Sequence, residues 1–377
     1  MTSNAHGSST PGATPRAADG MNYAPTGKPD PVVKPGEFKF AIAAMDHGHI
    51  HGQCNGLTEA GAECKWVYDA TDPERAKAKA AELGCGHAAT LEQILDDPEV
   101  QLVAAAAIPN ERAALGIRCL EAGKHYFTDK TPLTSLEQLA AVRDAVARTG
   151  RKYMVYFSER LHVECAMHAG TLIEQGAIGR VLQVTGFGPH RLGEPTGRPD
   201  WFYNHAQYGG ILCDIGSHQI EQFLHYAGCT DAEILHSKIA NYNHPDYPEL
   251  EDFGDCTLLG DNGATMYFRV DWFTPSGLRT WGDGRTLILG TEGYIELRKY
   301  VDVAVDTDQP TTTDTLILVN GDGEQRMQLA GEVGFRFFGE LIRDCIDGTE
   351  HAMTQAHALK AAELCVKAQA AAMRVGG

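Results

Sequence analysis

The sequence predicts an α/β chain that continues into an α+β half: a doubly wound parallel sheet first, then a mixed, largely antiparallel sheet with helices. Three observations predict it. From residue 37 to 157, short apolar runs alternate with amphipathic helical stretches, the rhythm of a parallel sheet covered on both faces. From 158 to 377 the helices thin out and strand-like runs follow one another across Gly- or Asp-rich turns, which is how hairpins are built. The length of 377 residues also exceeds what one core usually holds. Residues 1–36 are set apart as a tail.

That tail is rich in Gly, Pro, Ser, Thr and Ala and has too little to bury to offset its own ordering entropy. From Met21 on, a Tyr and repeated Pro predict an extended arm. FKFAIAA and CKWVYDA are the first two strands, the second ending at Asp69. DPERAKAKAAELG is a helix with Pro73 in its first turn and Gly84 at its end. TLEQILDDP (helix), VQLVAAAAIP (strand), NERAALGIRCLEAG (helix), KHYFTDK (strand), SLEQLAAVRDAVARTG (helix) and KYMVYF (strand) complete the first half. The second half opens with a helix over 166–175, a strand VLQVTGF, a Pro- and Gly-rich loop and a helix over 210–226. EILHSKIANY, CTLLG, ATMYFRVDWF, RTLILG, GYIELRKY and TLILVN then read as strands, and helices close the chain over 333–346 and 355–373.

Composition excludes several classes of function. No apolar run approaches the roughly 20 residues that span a bilayer. Lys and Arg number 32 against 50 Asp and Glu, and a net charge of -18 repels nucleic acid. The ten cysteines are scattered with no CxxC pair, so neither a zinc knuckle nor a disulfide framework is expected. The N-terminus lacks a basic patch followed by an apolar stretch, and the cytoplasm is the expected location.

In a doubly wound sheet the first turn carries phosphates and an acid closing the second strand holds a ribose. Asp69 fits the acid, 21 residues after Gly48, where about 20 is expected. A carboxylate there accepts from both ribose hydroxyls and repels a 2′-phosphate, which favours NAD over NADP. The plainer alternative is a loop aspartate capping the next helix. The phosphate turn itself is Ala43-Ala44-Met45-Asp46-His47-Gly48, keeping only the last glycine of GxGxxG. Asp46 is an awkward neighbour for a pyrophosphate, while His47, His49 and His51 offer ring N–H groups at the helix mouth. A metal on these histidines is not expected, because HxHxH lacks a nearby carboxylate or cysteine.

The chain resembles the glucose–fructose oxidoreductase, inositol dehydrogenase and rhizopine-catabolism family, written Gfo/Idh/MocA. The likeness spans about 37–370 and is carried by DPERA (72–76), LEQILDDPEV (91–100), IPN (108–110), LEAGKHYFTDKTPL (120–133), IEQGAIGRV (173–181) and GGILCDIGSHQIEQFL (209–224). The resemblance implies a Rossmann first domain over 37–157 and a substrate-binding domain over 158–377. In the latter, helices cover one sheet face and the other pairs with a second copy, giving a homodimer or homotetramer. It implies NAD bound by Met45, Asp46, His47, Gly48, His49, Ile50, Asp69, Ile108, Pro109, Asn110, Asp129, Lys130 and Arg160. The family's Glu-Lys-Pro is matched by Asp129-Lys130-Thr131, its proline displaced to Pro132. Its catalytic lysine falls on Lys130 and its Asp-x-x-x-His pair on Asp214 and His218.

That spacing makes physical sense, since residues four apart share a helix face. Oxidising a secondary alcohol requires a proton to leave oxygen as hydride leaves carbon. His218 is the first candidate base, its ordinary pKa lying near operating pH. Lys130 would stabilise the alkoxide, and Asp214 would hold Lys130 charged or fix the imidazole tautomer. His190, Arg191, Arg198, Asp200, Trp201 and Tyr203 suit a polyol, with His162 nearby in the FSERLH stretch, so a carbohydrate or polyol is the expected substrate class. The expected activity is an NAD-dependent dehydrogenase acting on a ring hydroxyl of a sugar, glycoside or cyclitol. Three alternatives stand beside it. They are a closed redox cycle on permanently held NAD for glycoside cleavage or epimerisation, a non-catalytic NAD or sugar sensor, and metal-assisted chemistry through His190, Asp214 and His218.

Overall fold

The computed structural model describes residue 25 and residues 30–193, 198–305 and 314–376. Most of the expected N-terminal tail lies outside the described residues. The piece within them is tied down: Val32 N–H donates to the Ala60 carbonyl at 3.0 Å and Val33 is buried.

The first sheet uses β1 (Lys39–Ala43), α1 (His49–Glu59), β2 (Glu63–Tyr68), α2 (Pro73–Leu83), β3 (Gly86–His87), α3 (Leu91–Leu95), β4 (Leu102–Ala105), α4 (Arg112–Glu121), β5 (His125–Asp129), α5 (Leu136–Thr149) and β6 (Tyr153–Tyr156). Its order is β3-β2-β1-β4-β5-β6, all parallel. The order reverses between β1 and β4, the place where such sheets open a crevice at their carboxyl ends. Local chemistry sets the elements. Asp72 accepts from Arg75 N–H and so caps α2 ahead of Pro73, and Gly84 closes the helix in the left-handed region, Pro73 and Gly84 standing where the sequence placed them. β4 and β5 are buried at every position, as strands covered on both faces must be.

The chain continues with α6 (Ser158–Leu161), α7 (Glu164–Glu174), β7 (Val181–Pro189), α8 (His205–Tyr208), α9 (Ile211–Asp214), α10 (Gly216–Ala227), β8 (Ala232–Ala240), β9 (Phe253–Gly260), β10 (Thr265–Asp271), β11 (Arg285–Gly290), β12 (Gly293–Arg298), β13 (Thr315–Asn320), β14 (Gly323–Gln328), α11 (Arg336–Asp347), α12 (Gln355–Ala370) and β15 (Met373–Arg374). The second sheet runs β14-β13-β12-β11-β7-β10-β9-β8-β15, antiparallel except for β7 with β10 and β8 with β15. Helices cover one face. Tyr267, Leu287, Leu289 and Tyr294 stand exposed on the other, brought together by the registers Tyr267↔Thr185↔Leu287 and Leu289↔Tyr294.

Several elements differ from expectation: the short strands β3 and β15 and the short helix α8 were not foreseen, and the helix expected over 355–373 ends at Ala370. The helix expected over 210–226 is broken at Ile215: its N–H still bonds Ile211, but His218 N–H turns back to the Ile215 carbonyl at 3.2 Å. The strand β14 was not expected, and its sequence GEQRMQ is almost wholly exposed. α12 joins the two sheets. Its Gln355 accepts from Tyr153 N–H at 2.7 Å and donates to the Tyr153 carbonyl at 2.8 Å, closing the free edge of β6, while Arg143 of α5 pairs with Glu363 at 2.5 Å.

Candidate active site

The turn after β1 is fixed on both sides. Ala44 N–H bonds the Tyr68 carbonyl and the Ala44 carbonyl accepts from Ala106, each at 3.0 Å, while His47 N–H reaches the Ala106 carbonyl at 2.9 Å. Ala44 carries a φ of 69°, so the one residue of the turn in the left-handed region is an alanine. Gly48 has helical φ and caps α1. Met45 and Ile50 point into the core, leaving only their backbone for a cofactor.

Beside this turn lies a cavity of about 320 Å³ lined by Ala44, Asp46, Asp69, Thr71, Leu91 and Leu115, among others. Asp69 is buried and already engaged. Its Oδ1 accepts from Thr71 N–H at 3.0 Å, and its Oδ2 from Arg75 Nε at 2.8 Å and from Arg75 Nη2. The Thr71 hydroxyl lies 2.7 Å from both Asp69 Oδ1 and Asp46 Oδ1, yet it has one hydrogen to give. Burial, followed by the charge of Asp69, pushes Asp46 up despite the Thr71 hydrogen bond. Asn110 Oδ1, past β4, is buried without a hydrogen-bond partner. A carboxylate at the end of β2, a pinned turn at a helix start and a cavity between them fit a dinucleotide.

The histidines of the turn meet a carboxylate the sequence did not place near them. His49 Nδ1 lies 2.9 Å from Asp129 Oδ1, and His47 Nδ1 lies 3.6 Å from Asp129 Oδ2; all three are buried and converge as metal ligands can. The reason given against a metal, a missing carboxylate, is therefore corrected. Arg112 supplies a different one: its guanidinium donates to Asp129 Oδ2 at 3.2 Å, placing a fixed cation where an ion would need the same oxygen. Against burial, His49 and Arg112 hold Asp129 well below the usual carboxylate range. Arg112 is wholly buried and also bonds the carbonyls of Ala107 (2.6 Å), Lys130 and Thr131 (3.0 Å). It thereby fixes the segment carrying Lys130, in which the Lys130–Thr131 peptide is cis although residue 131 is not proline.

Lys130 and Asp214 form a direct ion pair. Asp214 is placed by the start of α9, where Gly210 has a φ of 91° and buried Glu251 and Gln369 take the free N–H groups of Ile211 (2.9 Å) and Leu212 (3.0 Å). Burial raises Asp214, but Lys130 outweighs it and the carboxyl stays low. His218 lies one turn on, buried, with Nδ1 unpartnered. Its expected titration near operating pH is overturned: burial pushes it down to about 3, although Glu159 opposes this. It is a neutral imidazole at any working pH.

Sequence reasoning missed the groups behind His218. Lys299, fully buried, donates to Glu159 Oε2 at 3.0 Å and to Gln222 Oε1 at 2.8 Å, and Gln219 donates to the same Glu159 oxygen at 3.1 Å. Burial notwithstanding, Lys299 followed by His218 and His190 keeps Glu159 at about 2. His190 Nε2 stands 3.8 Å from Glu159 Oε1, and its ring lies against Trp281 at 4.5 Å and Trp272 at 5.5 Å. Alternation along β12 was the available signal for Lys299, since Ile295 and Leu297 point inward and 299 continues their face.

The other expected residues divide. Trp201 is brought to the site, its ring 6.3 Å from His47. Arg198 lies over Phe202 and Trp272 at 4.4 and 4.6 Å. Arg191 holds the carbonyls of Pro275, Leu278 and Thr280, and Tyr203 stacks on Tyr247 at 4.1 Å; neither is spent on the Lys130 pair. Arg160 grips buried Glu221 and lines a separate cavity of about 740 Å³. His162 bonds Tyr156 and packs on Phe335 and Phe338, in the core.

Residues 43–157 match the oxidoreductase family with an NAD-binding Rossmann fold, and residues 167–296 match the GFO/IDH/MocA C-terminal domain. A solved oxidoreductase structure from Erwinia carotovora atroseptica SCRI1043 is 53% identical over 90% of this chain and 100% of its own, with a TM-score of 0.85. Bacillus subtilis scyllo-inositol 2-dehydrogenase (NAD(+)) is 29% identical over 67% of this chain and 70% of its own length. Levoglucosan dehydrogenase of Pseudarthrobacter phenanthrenivorans is 32% identical, over 36% of this chain and only 35% of its own.

Proposed function

The chain belongs to the Gfo/Idh/MocA family of NAD-binding oxidoreductases, and from that membership we propose that it oxidises a secondary ring hydroxyl of a sugar, glycoside or cyclitol. The observation that carries this reading is the ion pair between buried Lys130 and partly buried Asp214 beside a neutral His218, at the carboxyl edge of the first sheet. Bound NAD supplies the hydride acceptor. The substrate oxygen receives a hydrogen bond from the Lys130 ammonium, which favours the alkoxide that develops there. Asp214 keeps that ammonium oriented. The hydroxyl proton goes to the neutral imidazole of His218, and the ionised Glu159 behind it favours the imidazolium while it lasts. Because burial makes that proton costly to hold, it is passed on rather than stored. Trp201, His190 and Trp281 supply the apolar and hydrogen-bonding walls a polyol needs. The named activities of the inositol and levoglucosan relatives fall in the same substrate class.

The test is formation of reduced nicotinamide from added NAD with myo-inositol, scyllo-inositol, D-xylose and levoglucosan as probes. One of these, or a close relative, is turned over, and Lys130→Ala lowers the rate by roughly 10²–10⁴, as loss of a positioned proton-transfer or charge-stabilising group does. Equal rates in Lys130→Ala refute the assignment. Silence with nucleotide released on denaturation favours the closed redox cycle instead.

A further inference from the structure

All ten cysteines are thiols in the structure, and only Cys64, Cys85 and Cys345 are not fully buried. Burial pushes Cys345 up to about 12, which withholds its thiolate. The other two touch. Cys64 sits in β2, and Cys85 follows Gly84, the left-handed residue that ends α2. Cys85 N–H is held by the Ala80 carbonyl at 3.0 Å, and the ladder pairing Trp66 with Gly86 brings β2 and β3 side by side. The two Sγ atoms lie 3.8 Å apart.

We propose that Cys64 and Cys85 are a dithiol that closes to an intramolecular disulfide by exchange with a low-molecular-weight disulfide of the glutathione type. Cys85 stands just before β3 and one residue out of register with Cys64, and the Sγ contact of 3.8 Å shows that both side chains already turn toward each other. The β2–β3 ladder is two residues long and stands at the edge of its sheet, so little pairing resists the approach of the sulfurs. Cys85 is the attacking group. When it ionises, the Cys64 thiol donates to it, and this bond, with Lys79 nearby, lowers Cys85 against its partial burial; the same bond raises Cys64. One thiolate beside one retained thiol is the arrangement exchange requires.

The chemistry balances. The Cys85 thiolate attacks one sulfur of the small disulfide, the S–S bond breaks and one small thiolate leaves. Cys64 gives its proton to water and attacks Cys85 Sγ, expelling the second small thiolate. Two protein thiols are oxidised and one small disulfide is reduced to two thiols. The pair lies at the opposite end of β2 from Asp69, so closure leaves the cavity beside the first turn uncovered.

The experiment is oxidation of the full chain with oxidised glutathione, followed by intact-mass measurement and peptide mapping without reductant. The expected product is lighter by two hydrogens, contains a peptide joining Cys64 to Cys85, and returns to the starting mass with dithiothreitol. Cys345→Ser reacts as the unchanged protein does, and Cys85→Ser forms no such link. Glutathione retained on Cys85 with Cys64 still open to alkylation overturns the proposal. So does a link through Cys54 or Cys345, or full alkylation of both thiols after treatment. The map of the unchanged protein decides alone, whatever the stability of the variants.

Discussion

Replacing Arg112 with Met removes the one guanidinium that ties Asp129 to the Lys130–Thr131 segment. The side chain is wholly buried and donates to the carbonyls of Ala107, Lys130 and Thr131 and to the Asp129 carboxylate. Methionine fills much of the same volume, so the cost is electrostatic rather than a cavity. Asp129, with no exposed side-chain surface, is left to His49 and His47. Breaking a buried pair from one side costs about 3–5 kcal/mol, a large part of the roughly 5–15 kcal/mol a native protein has. At about 2–4 °C per kcal/mol for a unit of 150–250 residues, Tm falls by roughly 6–20 °C. Differential scanning fluorimetry on Arg112→Met, with Arg118→Ala as control, checks this. Arg118 pairs with Glu92 at the surface, and its loss costs within about 0.5 kcal/mol. A melt of Arg112→Met within about 2 °C of the parent, less than 1 kcal/mol, would refute the argument.

Stability also depends on pH through buried neutral histidines. Burial places His162 and His218 at about 3 and His125 and His190 at about 4, all below the unfolded value near 6.5. The unfolded chain therefore binds more protons between those limits, and stability rises with pH there and is lost on acidification, by roughly 2 kcal/mol per group from pH 7 to pH 5. Melts taken at pH 7, 6 and 5 should fall steadily, and a flat series refutes the burial of these rings as neutral species. Gly210→Ala should depress turnover strongly while Gly228→Ala does not. A methyl at 210, where φ is 91°, meets Gln369 Cδ at 2.2 Å and drives off the amide that holds Leu212 N–H at the helix start carrying Asp214, whereas one at 228 meets nothing and lies far along the chain from that start. Parallel assays of the two variants against the same substrate decide the point, equal loss in both being the contrary result.

Much of the fold was legible because the residues that mark it act locally. Asp72, Pro73 and Gly84 bound α2 by their own backbone and side-chain chemistry, and the apolar runs of β4 and β5 announce strands buried on both faces. β14 was invisible for the converse reason: GEQRMQ at an exposed edge has no inner face to alternate with. Lys130, Asp214 and His218 were placed by resemblance, and the structure brings Lys130 and Asp214 into contact across 84 residues. The supporting charges were not legible. Arg112 and Glu159 carried no signal of burial and Lys299 only its place on the inner face that follows β12, because a sequence shows a charge and not the partner that permits its burial. Asp129 illustrates the distance involved, since it reaches His49 from 80 residues along the chain. The break at Ile215 likewise had no marker beyond Gly216.

The hydrogen bonds that Gln355 makes to Tyr153 N–H and C=O bear on how this polypeptide is made and how it can be cut. With its amide oxygen and one of its two N–H groups engaged, this side chain occupies the place of a further strand residue. Ribosomal synthesis delivers Tyr153 some two hundred residues before Gln355. During that interval the Tyr-Met-Val-Tyr edge is an open template for another nascent chain. A fragment stopped after Phe157 would carry the same exposed edge permanently and is expected to associate with itself. Dissection of the nucleotide half for crystallography or engineering should therefore retain the 355–370 helix, by circular permutation or by co-expression.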